Sequence, residues 1–264
     1  MPTLNLITKY KKNEGLIISA EEVLALYFYG VDIKSKDGSS LDQNTIETYI
    51  KSAQSEVEKY FDIKLFPELI TETKDYYRDD YNNNFPFIRT SLPVRQILTL
   101  IGRINGIDQT RYPEEWLSAR SSSDGTVYRQ FSVVPNGSVV NADADVILTG
   151  VSSNYGVRSY PNIPNYWYCQ YDTGFEIDNI PYDLLNMIGM LAAIPLLAIA
   201  GDLILGAGIA SQSLSIDGLS QSISSTSSAT NAGYGARIIE YRKSVDQTTK
   251  RLLRYYKGIT FASC

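Results

Sequence analysis

The stretch from Asp42 to Phe61 has the clearest periodic pattern of hydrophobic and polar positions in the chain. Its apolar residues recur three and four positions apart, which places them on one face of an α-helix; they are Ile46, Tyr49, Ile50, Ala53, Val57, Tyr60 and Phe61. A shorter helix is predicted from Ser19, where Ser-Ala-Glu-Glu forms a capping box. Another is predicted from Ala236 to Lys257, where apolar residues alternate steps of three and four among many Arg and Lys residues.

Strand-like patterns fill much of the chain between these helices. Residues 69–106 contain the alternating run LITETKDYYRDDY and the run SLPVRQILTLIGRING, which ends in an Asn-Gly turn. Residues 107–165 are rich in Ser, Gly, Asn and Pro, with short β-like runs that include a hairpin around Pro135–Gly137. The run NYWYCQYDTGF predicts a further strand that ends at Gly174. We therefore expect residues 107–165 to form a β-rich insertion.

The most hydrophobic stretch is PYDLLNMIGMLAAIPLLAIAGDLILGAG, which begins at Pro181. Proline suits the first turn of a helix, whereas the internal Pro195 is expected to kink or break the helix near Ile194. A membrane span needs about 20 apolar residues. The uncharged part, Leu184 to Gly201, is slightly shorter and has no Lys or Arg close to either end. We expect this helix to be buried in protein, with a membrane-associated protein as the alternative.

Two further segments have the composition of docking elements. Residues 206–233 are rich in Ser and Gly but contain Leu214, Ile216 and Ile223, which a free linker does not need. This segment is interpreted as an extended arm that docks on another surface. The tail GITFASC has strand composition, and Ile259 and Phe261 are candidates for pairing with the sheet edge of a partner.

Composition excludes several classes of protein. The chain has 264 residues, 44% of them hydrophobic, which suffices for one large core or a core with an elaborated second unit. Its net charge of −5 carries no overall signature of nucleic-acid binding, although a local basic patch remains open. The two cysteines match no disulfide framework or zinc site, and there is no His, the commonest general base and metal ligand. The sequence therefore predicts a protein that is not an enzyme, with no catalytic, cofactor-binding or metal site.

The order of these segments is more specific than any one motif. A capped helix, TIETYIKSAQSEVEKYF, precedes strands with SLPVRQILTLIGRING, and YDTGFEIDNIPYDLLNMIGMLAAIPLL then runs from a strand through a Gly turn to an apolar helix. This order resembles the head-to-tail connector, or adaptor, proteins of tailed bacteriophages, over roughly residues 19–106 and 166–257. The segments 107–165 and 206–233 are longer than compact members of that family need.

The resemblance implies an α+β fold that is mainly α: a helical bundle with a β-rich insertion and a long extended arm. In this interpretation residues 1–106 supply the first helices and strands of the core, and residues 107–165 are the insertion. Residues 166–264 supply the apolar helix, the arm, the basic helix and the tail.

The resemblance also implies a structural virion protein at the junction of capsid and tail, assembled in the host cytoplasm. Its partners would be the portal protein, a neck, stopper or tail-completion protein, other copies in a dodecameric ring, and genomic DNA in the channel, with no membrane. The candidate partner-interface residues are Tyr166, Trp167, Leu214, Ile216, Ile223, Arg251, Arg254, Ile259 and Phe261. A membrane-associated virion protein and a β-rich ligand-binding module, the latter based on the aromatic run 160–175, are the alternatives.

Overall fold

A computed structural model of the chain shows a mixed arrangement of helices and antiparallel sheets. It describes residues 15–31, 41–77, 87–120, 126–134, 161–176, 179–205, 211–216, 219–224 and 234–257. The α-helices are α1 (Ala20–Tyr27), α2 (Gln43–Phe61), α3 (Tyr182–Leu205) and α4 (Gly235–Tyr256), and a short 3-10 turn covers Glu114–Trp116. The strands are β1 (Glu68–Tyr77), β2 (Phe87–Arg89), β3 (Gln96–Ile104), β4 (Ile107–Arg111), β5 (Leu117–Ala119), β6 (Gln130–Val133), β7 (Asn162–Thr173), β8 (Ser211–Ile216) and β9 (Leu219–Ser224).

The chain divides into two compact units, each built from separated segments. Unit 1 comprises Met1–Tyr60 and Ile177–Leu252, and unit 2 comprises Phe61–Glu176 and Leu253–Cys264. The boundaries expected from the sequence, after residues 106 and 165, do not coincide with this division.

Unit 1 is helical apart from one hairpin in its described part, and its helices lie where the patterns predict them. The capping box of α1 is present: the Glu22 amide donates to the Ser19 hydroxyl at 3.1 Å, and the Ser19 amide donates to the Glu22 carboxylate at 2.8 Å. Most of the predicted apolar face of α2 is buried, whereas Tyr60 is 44% exposed. The predicted arm contains β8 and β9, which pair as an antiparallel hairpin.

Helix α3 runs through Pro195 without a break near Ile194. The stretch Tyr182–Gly201 is long and apolar enough to cross a membrane, with a mean hydropathy of 2.1. However, 61% of its apolar window is buried inside the chain, and the core helix of a folded domain meets the same criteria. Length and hydropathy therefore give only weak support to the membrane alternative.

Unit 2 is built on two antiparallel sheets. The larger has the strand order β1-β7-β3-β4 and the smaller the order β2-β6-β5. Strand β7 is central, because it pairs with β1 on one side and with β3 on the other. The core of unit 2 is strongly aromatic and contains Tyr76, Tyr112, Trp116, Phe131, Tyr166, Trp167 and Tyr171.

The predicted fold class, a mainly α helical bundle with a β-rich insertion, is wrong, because the fold is a mixed α+β fold. The error lies in treating the strands as an addition to a helical core. Strands β1 and β3 precede residues 107–165 and β7 follows most of them, yet the three form one sheet. A helical pattern is local, whereas pairing Glu72 with Cys169 requires a contact almost a hundred residues apart, which periodicity does not indicate.

Candidate interaction surfaces

The aromatic pair predicted to meet a partner lies inside unit 2. Tyr166 is 1% exposed and Trp167 is 0% exposed, and their rings pack edge to face with centroids 4.8 Å apart. Burial raises the pKa of Tyr166 to about 12. Gly102 makes room for this ring, since a Cβ at that position would overlap the Tyr166 side chain. The structure therefore places both residues in the core rather than at an exposed partner surface, whereas Tyr168 and Phe175 of the same aromatic run are half-buried.

The nucleophilic side chain of Cys169 is also buried in unit 2. Its thiol donates to the backbone carbonyl of Glu72 at 3.4 Å. Burial, and secondarily the nearby Glu72 charge, raises the pKa of Cys169 to about 12. Because the thiolate is the reactive form, this side chain is not poised for nucleophilic chemistry at neutral pH.

Ser91 lies between Lys74 and Glu72, an arrangement that resembles an activated nucleophile. The Lys74 ammonium donates to the Ser91 hydroxyl at 2.8 Å, and that hydroxyl donates to the Glu72 carboxylate at 2.6 Å. The Ser91 amide also donates to Glu72, at 3.1 Å, so the carboxylate holds both polar groups of this serine. The arrangement therefore fastens β1 to the segment after β2. No local pattern in the sequence indicates it, because Ser91 lies far from Glu72 along the chain.

Arg129 is a second residue that sequence reasoning missed. Its guanidinium donates to the carbonyls of Phe61 at 2.6 Å and Tyr256 at 3.0 Å, and to those of Asp62 and Lys257, each at 3.3 Å. Burial lowers the pKa of Arg129, and the charge of Asp62 opposes this effect. A cation beside the carbonyls that end helices is favourable, because those carbonyls carry the negative end of the helix dipole. Arg129 is therefore a structural residue of unit 2.

Three helices of unit 1 meet at Tyr27. Its ring lies against Gly189 of α3, where a Cβ would overlap it, and its hydroxyl hydrogen-bonds the Asn186 side chain at 3.1 Å. The Tyr241 hydroxyl of α4 donates to the Tyr27 carbonyl at 2.9 Å. Burial raises the pKa values of both tyrosines. This contact fixes α1 and α4 against α3.

One side of α3 remains only half-buried. The α3 stripe, defined as Leu191, Ile194, Pro195, Ala198 and Ile199, is apolar and follows helical spacing. Residues at such spacing share one face of a helix, so these positions form a continuous strip. Within residues 187–200 of α3, these five residues are half-buried, whereas all the others are buried.

The predicted arm residues Leu214, Ile216 and Ile223 lie in the β8–β9 hairpin. In its register Ile216 pairs with Leu219, Leu214 with Gln221 and Gln212 with Ile223. The alternate positions pair serine with serine: Ser211 with Ser224, Ser213 with Ser222, and Ser215 with Ser220. The register therefore places Leu214, Ile216 and Ile223 at the positions that alternate with the serine pairs.

The predicted basic residues Arg251 and Arg254 are exposed on α4, together with Arg242, Lys243 and Lys250. Lys250 forms an ion pair with Asp246 at 2.7 Å, and the Arg254 guanidinium lies 4.9 Å from the centre of the Tyr255 ring. The remaining predicted interface residues, Ile259 and Phe261, lie outside the described residues. So do the expected hairpin around Pro135–Gly137 and the tail strand.

Among the described residues, no group of three or more His, Cys, Asp or Glu side chains is arranged to hold a metal ion. The candidate interaction surfaces are the α3 stripe, the β8–β9 hairpin and the basic side of α4. No protein-family model matches this chain, and no curated protein does so either.

Proposed function

We propose that this chain is a structural subunit of the head-to-tail connector of a tailed bacteriophage. In this role several copies form a ring that binds the portal protein and a neck, stopper or tail-completion protein. The ring leaves an axial channel for DNA. The protein is then a virion component that contributes contacts and shape rather than chemistry.

The observation that carries the proposal is the order of elements along the chain. Helix α2, strand β3 with its Asn105-Gly106 turn, strand β7 followed by Gly174, and the apolar helix after Pro181 follow one another in the order on which the resemblance rests. The proposal does not require a helical bundle, because it rests on the segment order and on surfaces suited to neighbouring subunits.

The α3 stripe supports assembly with other copies. Half-buried apolar residues in a continuous strip gain free energy when a neighbouring chain covers them, at about 25 cal/mol for each Å² of apolar surface removed from water. A ring repeats one heterologous contact around an axis, so each copy would cover the stripe of the next. This arrangement completes the burial of an apolar helix without lipid.

The β8–β9 hairpin supports the same role. An isolated two-stranded hairpin is marginally stable in water and needs a further surface to pack against. Leu214, Ile216 and Ile223 would meet that surface on a neighbouring subunit, as the arm interpretation requires.

The test is native mass spectrometry in detergent-free buffer, on the chain alone and after mixing with the portal ring encoded in the same genome. We expect a complex that carries many copies of the chain. The variant L191Q/I199Q alters the α3 stripe and should reduce the number of copies bound. The control variant L26Q/I239Q changes two exposed apolar residues of unit 1 outside the stripe and should assemble as the wild type does.

Two results would count against the proposal. If the chain is soluble but the mass of the portal ring does not change, the connector proposal is wrong. A chain that stays in solution only with detergent favours the membrane-associated alternative. Far-UV circular dichroism of L191Q/I199Q separates loss of assembly from loss of the fold.

A further inference from the structure

The exposed side of α4 carries a line of basic residues. We define the cationic stripe as Lys243, Gln247, Lys250 and Arg254, all of which are exposed. Steps of four, three and four residues place them on one face of a single helix, over about 17 Å at 1.5 Å per residue. The buried residues of α4, among them Ile238, Thr248 and Leu252, lie on the opposite side. The stripe therefore faces away from the contacts that hold α4 in the fold.

Positive charge is concentrated in this helix. Residues 234–257 contain seven Lys or Arg and two Asp or Glu, a net +5, whereas the whole chain is −5, so the other residues together carry −10. Such segregation is not expected of a helix whose surface serves only solubility, because mixed charges do that equally well.

Little in the described structure neutralises the stripe. Lys250 pairs with Asp246, but both side chains are well exposed, and such pairs contribute little. Among the described residues, Lys243 and Arg254 form no ion pair with a carboxylate. These cations are therefore available to an external anion.

We infer that the cationic stripe of α4 contacts the phosphate backbone of double-stranded DNA, without sequence preference. Protein interfaces are depleted in Lys and enriched in aromatic residues, Met and Arg, whereas two of the three cations of this stripe are Lys and none of its residues is aromatic. Duplex DNA carries one charge per about 1.7 Å of its axis, so each flexible cation along the stripe finds a phosphate within reach. The inference rests on the proposed function, which brings duplex DNA to the protein, and it assigns that contact to a named surface.

The test measures binding of a fluorescein-labelled duplex of about 30 bp by anisotropy, from about 25 to 200 mM NaCl. It uses the full chain alone and in its complex with the portal. We expect K243Q/K250Q/R254Q to weaken binding at least tenfold at low salt. We also expect the slope of log affinity against log salt to become shallower by about 0.9 for each phosphate that the variant no longer neutralises.

The control variant R89Q/R111Q/R120Q removes the same charge from exposed positions of unit 2 and should bind nearly as the wild type does. The charge-conserving variant K243R/K250R should also retain binding. The inference is overturned if the wild type binds no duplex in either state, or if the stripe and control variants lose affinity equally. Loss of portal binding in the stripe variant, with no DNA binding by the wild type, would assign the stripe to an acidic protein instead.

Failure of this inference differs from failure of the proposed function. If the chain binds the portal but binds no DNA through α4, the connector proposal stands and the DNA-binding inference is wrong. If the chain does not bind the portal but binds DNA through α4, the DNA-binding inference stands and the connector proposal is wrong.

Discussion

The two units of this chain are stabilised in different ways. Unit 1 packs helices closely through small residues, as where Gly189 lets α3 approach the Tyr27 ring. Unit 2 pairs strands that are distant in sequence around a core of large aromatic rings, with Trp167 and Tyr166 at its centre. The surfaces that support a function, namely the α3 stripe, the hairpin and most of the cationic stripe, belong to unit 1.

This difference explains why Tyr166 and Trp167, which were predicted to lie at a partner interface, are core residues instead. Tyr and Trp are enriched at interfaces, but their large apolar rings also fill cores. Strand β7 lies in the middle of its sheet, so the aromatic run that it carries is used by the fold of unit 2 itself. The basic residues of α4 lie on the exposed side of an amphipathic helix and stay available.

The two units can be followed separately. Both tryptophans of the chain, Trp116 and Trp167, lie in the core of unit 2, so tryptophan fluorescence reports on that unit. Helices α1 and α3 and nearly all of α2 and α4 belong to unit 1, so the far-UV helical signal reports mainly on unit 1. Comparing the two signals during urea unfolding makes the contrast measurable.

The largest effect is expected from Trp167→Ala. Removing a fully buried indole leaves a cavity in the aromatic core of unit 2 and should lower the free energy of unfolding by about 4 kcal/mol. The fluorescence transition, reported by the remaining Trp116, should move to lower urea. Trp167→Phe retains an aromatic ring and should lower the free energy of unfolding by a smaller amount. If Trp167→Ala left the transition unchanged, the aromatic cluster would not be the core of unit 2.

A smaller effect is expected in unit 1 from Gly189→Ala. The new methyl group would overlap the Tyr27 ring, and overpacking of this kind costs about 2 kcal/mol. The helical transition should move more than the fluorescence transition. Combining it with Tyr27→Leu should restore part of the lost stability, because the smaller side chain leaves room for the new methyl group. If the loss in the double variant equalled the sum of the losses in Gly189→Ala and Tyr27→Leu alone, the two residues would not interact.

The smallest effect is a loss of stability of unit 2 in mild alkali. Burial raises the pKa of Cys169 from 9.0 to about 12, so its stabilising contribution is complete below pH 9 and is lost as pH rises toward 12. Between pH 9 and pH 10 stability should fall by up to about 1.4 kcal/mol. Urea unfolding between pH 8 and 10 measures the slope by fluorescence, with Cys264→Ser in all proteins. Cys169→Ala should flatten it, and an unchanged slope would remove Cys169 as its source.

Local features of this protein could be predicted from the sequence because their causes are local. The Ser19 capping box, the buried face of α2 and the Asn105-Gly106 turn each depend on residues within a few positions of one another. The arm was expected to dock, but its pairing as a serine-rich hairpin required the register of β8 against β9. The basic character of α4 was visible in the sequence, whereas the exposure of Arg251 and Arg254 was not.

The sequence by itself determined the helices, the turns and the concentration of positive charge near residues 234–257, because each follows from periodicity and composition over short distances. Only the tertiary structure decided that Tyr166 and Trp167 are core residues, that Arg129 holds four carbonyls, and that Ser91 joins Glu72 to Lys74. Those outcomes depend on which strands pair. Strand pairing is set by the free energy of a whole sheet, to which residues a hundred positions apart contribute together.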